Sequence, residues 1–217
     1  RYMDRYGPGT PDEWEPGTDG RVLRNRLGVT DQAEAERIEA FLLGEAIPQS
    51  VGLIDSDTPF SVALLQALHR SWLDPLYPFA GKVRTVDMSK GLVRFAPAAY
   101  LDATLKDLDT VLGEETPCAG MDADRLTRAL ARVHGETILA HPFREGNGRL
   151  VRWVLDLMAS QAGRPSLAWP FYDAATASRE EYYRCLRRWF AGEEAPLEAL
   201  TARALVPVAE GLATPPA

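Results

Sequence analysis

Residues 141–152 read HPFREGNGRLVR, and this stretch decides how the rest of the chain is interpreted. At its centre, Gly146-Asn147-Gly148 allows successive backbone N–H groups to turn toward one point and form an anion-binding nest. The run that follows, residues 149–161, is apolar on most sides and predicts a helix. The nest is therefore expected at a helix N-terminus, where free N–H groups and the helix dipole favour a phosphate.

Charged side chains surround the nest. Arg149 and Arg152 are three residues apart and share one face of the first helical turn, where two guanidiniums suit a polyphosphate. Glu145 would repel phosphates unless a cation joined them, and Mg²⁺ is the usual bridge. His141 ends the preceding predicted helix, and an imidazole can accept a proton from an attacking hydroxyl. The set predicts in-line phosphoryl or nucleotidyl transfer.

The rest of the chain predicts a single all-α domain with one β-hairpin. Helical periodicity covers residues 30–43, 60–73, 98–114, 122–140, 148–163, 178–190 and 196 to about 206, and residues 44–58 are expected to form a loop. The hairpin is predicted from residues 82–88 and 92–95, with Ser89-Lys90-Gly91 as its turn. A two-stranded hairpin alone is marginally stable, so it must lie against the helices.

Composition narrows the possible partners. The 217 residues carry a formal net charge of −7, which argues against broad electrostatic binding to nucleic acid or membrane. Two cysteines are too few for a disulfide framework or a thiolate zinc site. The sequence also shows no long apolar run and no basic-apolar signal segment, so a cytoplasmic location is expected.

The motif HPFREGNGRLVR resembles the signature of the Fic family, His-x-Phe-x-Asp/Glu-Gly-Asn-Gly-Arg-x-x-Arg, with every specified position present. LRNRLGVTD, LHRSWLDPLYPFAGKVRTVDMSKG and GETILAHPF resemble the family's upstream segments, and Phe79 stands where many relatives carry Trp. The resemblance implies a Fic fold over residues 23–206, with an irregular arm at 1–22 and a tail at 207–217.

The resemblance implies a protein adenylyltransferase that moves AMP from Mg-ATP to a Ser, Thr or Tyr hydroxyl of a target protein. His141 would be the general base, and Glu145 would hold Mg²⁺. The phosphates would be bound by Asn147 with the Gly146 and Gly148 amides, by Arg149 at the α/β-phosphates and by Arg152 at the γ-phosphate. Phe143 would anchor the loop in the core.

The hairpin corresponds to the family's flap, which pairs with an extended target segment by strand addition. Residues 82–97 form the candidate docking segment. The part nearest the site comprises Gly91, Leu92, Val93, Arg94, Phe95, Ala96 and Pro97.

Regulation is also suggested by the resemblance. The family's inhibitory helix has the pattern Ser/Thr-x-x-x-Glu-Gly/Asn, but Ala35 fills its last position after Thr30 and Glu34. Val206 likewise replaces the hydroxyl residue before Glu210-Gly211. The chain therefore resembles the toxin branch of the family, in which a separate small antitoxin inhibits the enzyme. The candidate targets in that branch are DNA gyrase and topoisomerase IV. The alternative is inhibition of the enzyme by a segment that this sequence lacks.

Other interpretations stay open. The fold could transfer another nucleotide or phosphocholine, act as a secreted effector on host GTPases, or bind nucleotide without chemistry. A zinc site from His134, His141 and Glu145 is disfavoured because the spacing crosses a helix end. His69 and His134 are interpreted as core or surface residues. Tyr182 and Tyr183 are interpreted as packing residues, and the alternative is that they contact the nucleotide.

Overall fold

The structure, a computed structural model, describes residues 13–50, 54–90, 93–169 and 176–205. A two-stranded antiparallel sheet, β1 (Ser89–Lys90) and β2 (Val93–Arg94), accompanies the helices, so the all-helical class with one hairpin is confirmed. A short 3₁₀ turn, Ala98–Tyr100, precedes the third helix. In these ranges the helices are α1 (Gln32–Ser50), α2 (Val62–Leu73), α3 (Leu101–Glu115), α4 (Ala123–Ala140), α5 (Asn147–Gln161), α6 (Thr176–Phe190) and α7 (Ala195–Ala204).

Helix α4 lies at the centre of the core and contacts α3, α5, α6 and α7. Leu126, Leu130 and Val133 recur at helical spacing and are fully buried, as the periodicity predicts. At Gly135 an added Cβ would lie 2.3 Å from the Trp189 ring, so α6 packs directly on the backbone of α4. No helix in the described ranges has the length and apolar character needed to cross a membrane.

Helix α1 is longer than the sequence predicts, and the expected loop from residue 44 is wrong for residues 44–50. The helix continues through Pro48 to Ser50. Ala46 and Ser50 are buried, and the Ser50 hydroxyl accepts a 3.1 Å hydrogen bond from the indole N–H of Trp153. Packing of the last turns against α5 outweighs the weak helix propensity of this segment.

The hairpin has a different register from the predicted one. Ser89 pairs with Arg94 and Lys90 with Val93, so two residues assigned to the turn belong to a strand. Residues 91 and 92, which connect the strands, lie outside the described residues. The predicted strand at 82–88 is also wrong. The backbone N–H of Arg84 donates to the Pro142 carbonyl of the motif loop at 2.9 Å, and the Met88 carbonyl at the end of the segment accepts from the Phe95 N–H at 3.3 Å.

The described part of the N-terminal arm packs against the motif. Trp14 and Leu23 form an isolated antiparallel bridge, and both side chains are buried. The Arg144 guanidinium lies 5.3 Å from the Trp14 ring centroid and 3.0 Å from a carboxylate oxygen of Glu13. The arm thus packs on the loop that carries the candidate catalytic residues, while the domain boundary at residue 23 stays a prediction.

Candidate active site

The motif forms the connection between α4 and α5. His141 caps the C-terminus of α4 in the left-handed conformation, with φ 47° and ψ 59°. Gly146 precedes α5 with φ 80°, and a Cβ there would lie 2.8 Å from the Trp72 ring. Glycine is therefore required at residue 146 both by the backbone conformation and by the close approach of Trp72.

Polar groups within the loop bond to one another. The Asn147 amide accepts from the Phe143 N–H at 2.9 Å and donates to the Phe143 carbonyl at 2.7 Å. The Gly146 N–H donates to the Glu145 carboxylate at 2.8 Å. The Asn147 side chain and the Gly146 amide thus brace the loop. The amides of Asn147 and Gly148, in the first turn of α5, remain the candidates for the predicted nest, because first-turn N–H groups have no intrahelical acceptor.

His69 supports the loop from α2. Its Nδ1 accepts from the Gly81 N–H at 2.8 Å, so Nε2 carries the proton and donates to the Glu145 carbonyl at 3.0 Å. Its ring stacks on Phe143 with centroids 4.0 Å apart, and Phe143 is fully buried, as expected for a core anchor. Burial lowers the pKa of His69 to about 4, which keeps the imidazole neutral. The interpretation of His69 as a core residue is therefore correct, but sequence reasoning missed its contact with the motif.

A pocket of about 380 Å³ opens above this loop, a size typical of small-molecule sites. It brings together every predicted residue of the motif: His141, Glu145, Gly146, Asn147, Gly148, Arg149 and Arg152. From the flap, Val93 and Phe95 line it, whereas Arg94, Ala96 and Pro97 do not. The predicted docking residues Gly91 and Leu92 lie outside the described residues.

His141 faces this pocket beneath the flap. The Phe95 ring stacks on its imidazole with centroids 3.5 Å apart and planes 5° from parallel. Burial lowers the pKa of His141 to about 3, the positive charges of Arg84 and Lys90 act in the same direction, and a hydrogen bond to the Ile138 backbone opposes them. At neutral pH the imidazole is uncharged and can accept a proton.

Arg149 is held by helix α1, a contact that sequence reasoning missed. Its guanidinium lies 2.7 Å from one carboxylate oxygen of Glu39 and 4.9 Å from the Trp72 ring centroid. The Tyr77 hydroxyl donates to the other Glu39 oxygen at 2.5 Å, and the Trp72 indole donates to the Glu39 carbonyl at 2.8 Å. Burial and the nearby Glu145 charge raise the pKa of Glu39, while Arg149 opposes them. The apolar spacing of α1 gave no sign that Glu39 would face the site.

Helix α6 forms the opposite wall of the pocket. Tyr182, Tyr183 and Leu186 line it, so the two tyrosines do lie beside the candidate nucleotide site. The Lys90 ammonium lies 5.2 Å from the Tyr183 ring centroid and joins the flap to this wall. His134 lies 2.9 Å from the Tyr182 hydroxyl, and burial lowers its pKa to about 3. His134 thus supports a tyrosine and does not line the pocket with His141.

The residues present fit a magnesium ion shared with a substrate. Glu145 lines the pocket with only 7% of its surface exposed, and one of its oxygens lies 3.2 Å from the Arg149 guanidinium. Among the residues that the structure describes, no group of three or more His, Cys, Asp and Glu side chains forms a metal cage. Mg²⁺ is usually bound by one or two carboxylates together with waters and substrate phosphates. Glu145 beside the predicted phosphate nest has this chemistry, and Glu36 and Glu39 line the same pocket.

Sequence comparison gives relatives of known family. A model of the Fic/DOC family matches residues 59–159. Protein adenylyltransferase VbhT of Bartonella schoenbuchensis is 32% identical over 152 residues, which cover 69% of this chain and 31% of VbhT. The probable protein adenylyltransferase Fic of Salmonella typhimurium is 30% identical over 167 residues, 76% of this chain and 80% of that protein. The chain thus spans about a third of VbhT and most of the Salmonella protein.

A solved structure shares the fold. BepC, a VirB-translocated effector of Bartonella tribocorum crystallised with AMPPNP, superposes with a TM-score of 0.70 at 21% identity and covers 90% of this chain. The alignment spans 97% of the BepC chain, so the helices and the hairpin belong to one shared architecture. The relatives' names confirm the enzyme class expected from the sequence, a protein adenylyltransferase. With the complete motif, the matching family model and these relatives, the chain belongs to the Fic/DOC family.

Proposed function

We propose that this chain transfers AMP from Mg-ATP to a hydroxyl side chain of a target protein. The observation that supports this most directly is the pocket itself. It joins a neutral histidine, three glutamates, the N-terminus of α5 and two arginines within about 380 Å³. These are the groups that nucleotidyl transfer needs: a base for the hydroxyl, cations for the triphosphate and a carboxylate for the metal.

The proposed chemistry assigns one task to each group. The triphosphate lies on the Asn147 and Gly148 amides with its charge opposite Arg149 and Arg152. Glu145 holds Mg²⁺, which when bound neutralises phosphate charge. His141 accepts the target hydroxyl proton as the oxygen attacks the α-phosphorus. The bond from that phosphorus to the bridging oxygen of the β-phosphate breaks, and pyrophosphate leaves.

The target is proposed to dock on the flap as an added strand. A two-stranded sheet leaves edge N–H and C=O groups that an extended segment can use. Side chains alternate along β2: Val93 is buried toward the pocket, and Arg94 points to solvent. Such alternation gives a docked segment a fixed register in front of His141.

We further propose that the enzyme is a bacterial toxin acting on DNA gyrase or topoisomerase IV and restrained by a small antitoxin. The support is the complete catalytic motif together with the incomplete inhibitory patterns at Thr30 and Glu210. Purified gyrase, topoisomerase IV and a small GTPase offered in parallel would separate this proposal from the effector alternative. Labelling of the GTPase alone would overturn it.

The transfer is tested by incubating the protein with ATP labelled at the α-phosphate, Mg²⁺ and a bacterial lysate. A labelled protein band is expected, and His141→Ala should reduce its rate by about 10²- to 10⁴-fold while AMPPNP affinity stays the same. Labelling that persists in His141→Ala would remove His141 as the base.

The donor is tested by the mass of the adduct on the labelled protein. An increase equal to AMP supports the proposal, whereas an increase equal to phosphate or phosphocholine identifies one of the alternative transfers. Competition by the other three nucleoside triphosphates checks whether the tyrosine-lined wall selects adenine. If no protein gains mass although AMPPNP binds, the chain is a nucleotide-binding module.

A further inference from the structure

Arg84 is a buried cation that binds four backbone carbonyls. Only 5% of its surface is exposed. Its Nε donates to the His141 carbonyl at 2.6 Å, and Nη1 donates to the Val86 carbonyl at 2.6 Å. Its Nη2 donates to the carbonyls of Ala96 and Ala140, at 2.5 Å and 3.1 Å. A charged group buried this deeply needs such a set of acceptors, because its desolvation is otherwise costly.

The four acceptors come from two parts of the molecule. Val86 precedes β1 and Ala96 follows β2, so one pair belongs to the two arms of the flap. The carbonyls of Ala140 and His141 belong to the end of α4, where backbone oxygens have no intrahelical partner and the helix dipole favours a cation. Arg84 therefore ties both arms of the flap to the residue proposed as the base.

Main-chain and ring contacts extend the same connection. The Arg84 N–H donates to the Pro142 carbonyl, and the Ala96 N–H donates to the Leu139 carbonyl, both at 2.9 Å. Between these bonds the Phe95 ring lies flat on the His141 imidazole. A shift of the flap by one residue would break all of these contacts together.

We propose that Arg84 is a positioning residue that fixes the register of the flap against His141, so that a hydroxyl on a docked segment meets the imidazole. This inference rests on the proposed transfer to a flap-bound target. The planar fork of a guanidinium can reach several carbonyls at fixed angles, whereas the single ammonium of a lysine cannot. Arg84→Lys thus keeps the charge and loses the geometry, and Arg84→Met loses both.

The structural part is tested by NMR without any activity measurement. The chain has three histidines, so His141→Ala and His69→Ala assign every imidazole resonance. In both Arg84 variants the cross-peaks between Phe95 and His141 should weaken, and the Ala96 amide should exchange faster with solvent. Only Arg84→Met should raise the pKa of His141, because it removes a positive charge that lowers this pKa, whereas Arg84→Lys keeps that charge. Lys90 on β1 lowers the pKa of His141 in the same way and is present in both variants. The other titratable and charged side chains of the pocket are unchanged in both Arg84 variants: Glu36, Glu39, Glu145, Arg149, Arg152, Tyr182 and Tyr183.

Two controls separate positioning from general loss of structure. The resonance of His69, a buried ring stacked on Phe143, should be the same in both Arg84 variants as in the wild type. Arg132 is a half-exposed arginine on α4, the helix that ends at His141, and it pairs with Glu114 and Glu115. Arg132→Met should leave the Phe95 and His141 signals unchanged. Unchanged cross-peaks and Ala96 exchange in Arg84→Lys and Arg84→Met would overturn the inference.

The functional part uses the α-labelled ATP assay. Because a displacement of about 1 Å can cost about 10²-fold in rate, both Arg84 variants should label targets about 10²-fold more slowly. Their AMPPNP affinity should stay within about twofold, since Arg84 does not line the phosphate pocket. Equal losses of rate and of AMPPNP binding would contradict positioning. If the wild type labels nothing while the NMR changes occur as expected, the proposed transfer fails and the link between flap and His141 stands.

Discussion

At the scale of single residues, His141 lines the pocket, and Phe95 covers its imidazole. Its ring lies under Phe95, and its pKa is lowered to about 3 by burial and by the charges of Arg84 and Lys90. A base with a lowered pKa loses activity only when the pH falls below that lowered value. We therefore expect kcat/KM for target labelling to show no protonation step near pH 6.5 when measured between about pH 5 and pH 8. A midpoint close to 6.5 would mean that the imidazole titrates as an exposed histidine.

Glu145 gives a second prediction at this scale, on the metal. Without Mg²⁺ its carboxylate repels the phosphates, so chelation should weaken AMPPNP binding to the wild type. Glu145→Gln should bind AMPPNP more tightly than the wild type in the presence of EDTA and less tightly in the presence of Mg²⁺. Titration calorimetry under both conditions measures the reversal. The same order of affinities in both conditions would show that Glu145 is not the metal ligand.

Gly146 allows a matched test of backbone and packing. Gly146→Ala places a Cβ 2.8 Å from the fully buried Trp72 ring in a conformation with φ 80°, so the free energy of unfolding should fall by about 2–5 kcal/mol. Gly120 has a similar φ of 77° but nothing within 4 Å, so Gly120→Ala should cost only about 1–2 kcal/mol. Denaturant unfolding of both variants measures the difference, and equal losses would mean that Trp72 yields to the added methyl group.

At the scale of elements, α1 is part of the active site because Glu39 holds Arg149. Glu39→Ala removes the carboxylate that pairs with Arg149. Because Arg149 is only half-buried, water can replace part of the lost interaction, and this limits the loss of stability. We expect a loss of about 1–3 kcal/mol in unfolding free energy and about a tenfold rise in the KM for ATP. Glu36 lies one turn earlier on the same helix and is exposed, although it also lines the pocket. It therefore serves as a control for stability only, and Glu36→Ala should change the free energy of unfolding by no more than about 0.5 kcal/mol. A KM for ATP that stays constant in Glu39→Ala would show that the contact is structural only.

The elements also show what sequence could and could not predict. Helix α4 and the start of α5 were predicted closely because buried positions such as Leu126 and Leu130 recur at helical spacing. The motif residues that line the pocket could be predicted together because they are neighbours along the chain. The end of α1 and the register of the hairpin depend on contacts with distant segments, such as Ser50 with Trp153, and these leave no local pattern.

The same reason explains the supporting residues that the sequence did not reveal. Arg84 is 57 residues from His141, Glu39 is 110 residues from Arg149, and His69 is 76 residues from Glu145. Each looks like an ordinary member of its own segment. Only the folded chain brings them to the catalytic loop.

At the scale of the whole molecule, the acidic net charge bears on which anions the protein can bind. With a net charge of −7, the surface as a whole repels polyanions, while Arg149 and Arg152 concentrate positive charge at one point. We expect a short fluorescent DNA duplex to show no anisotropy change at about 150 mM salt, where Mg-AMPPNP still binds. Displacement of AMPPNP by the duplex would contradict a site for single nucleotides.

The motif loop between α4 and α5 is held by hydrogen bonds among its own residues, whereas residues of the flap and of α6 line the pocket beside it. Within the loop, Phe143 bonds to Asn147 and the Gly146 amide bonds to the Glu145 carboxylate, while His69 and Arg84 hold the loop from other segments. In the flap, Phe95 and Ala96 contact the end of α4 directly, whereas Val93 and, on α6, Tyr183 line the pocket. Under the proposed transfer, random libraries confined to Val93, Arg94 and Tyr183 should change which protein or which base is accepted, and the residues of the motif loop stay as they are.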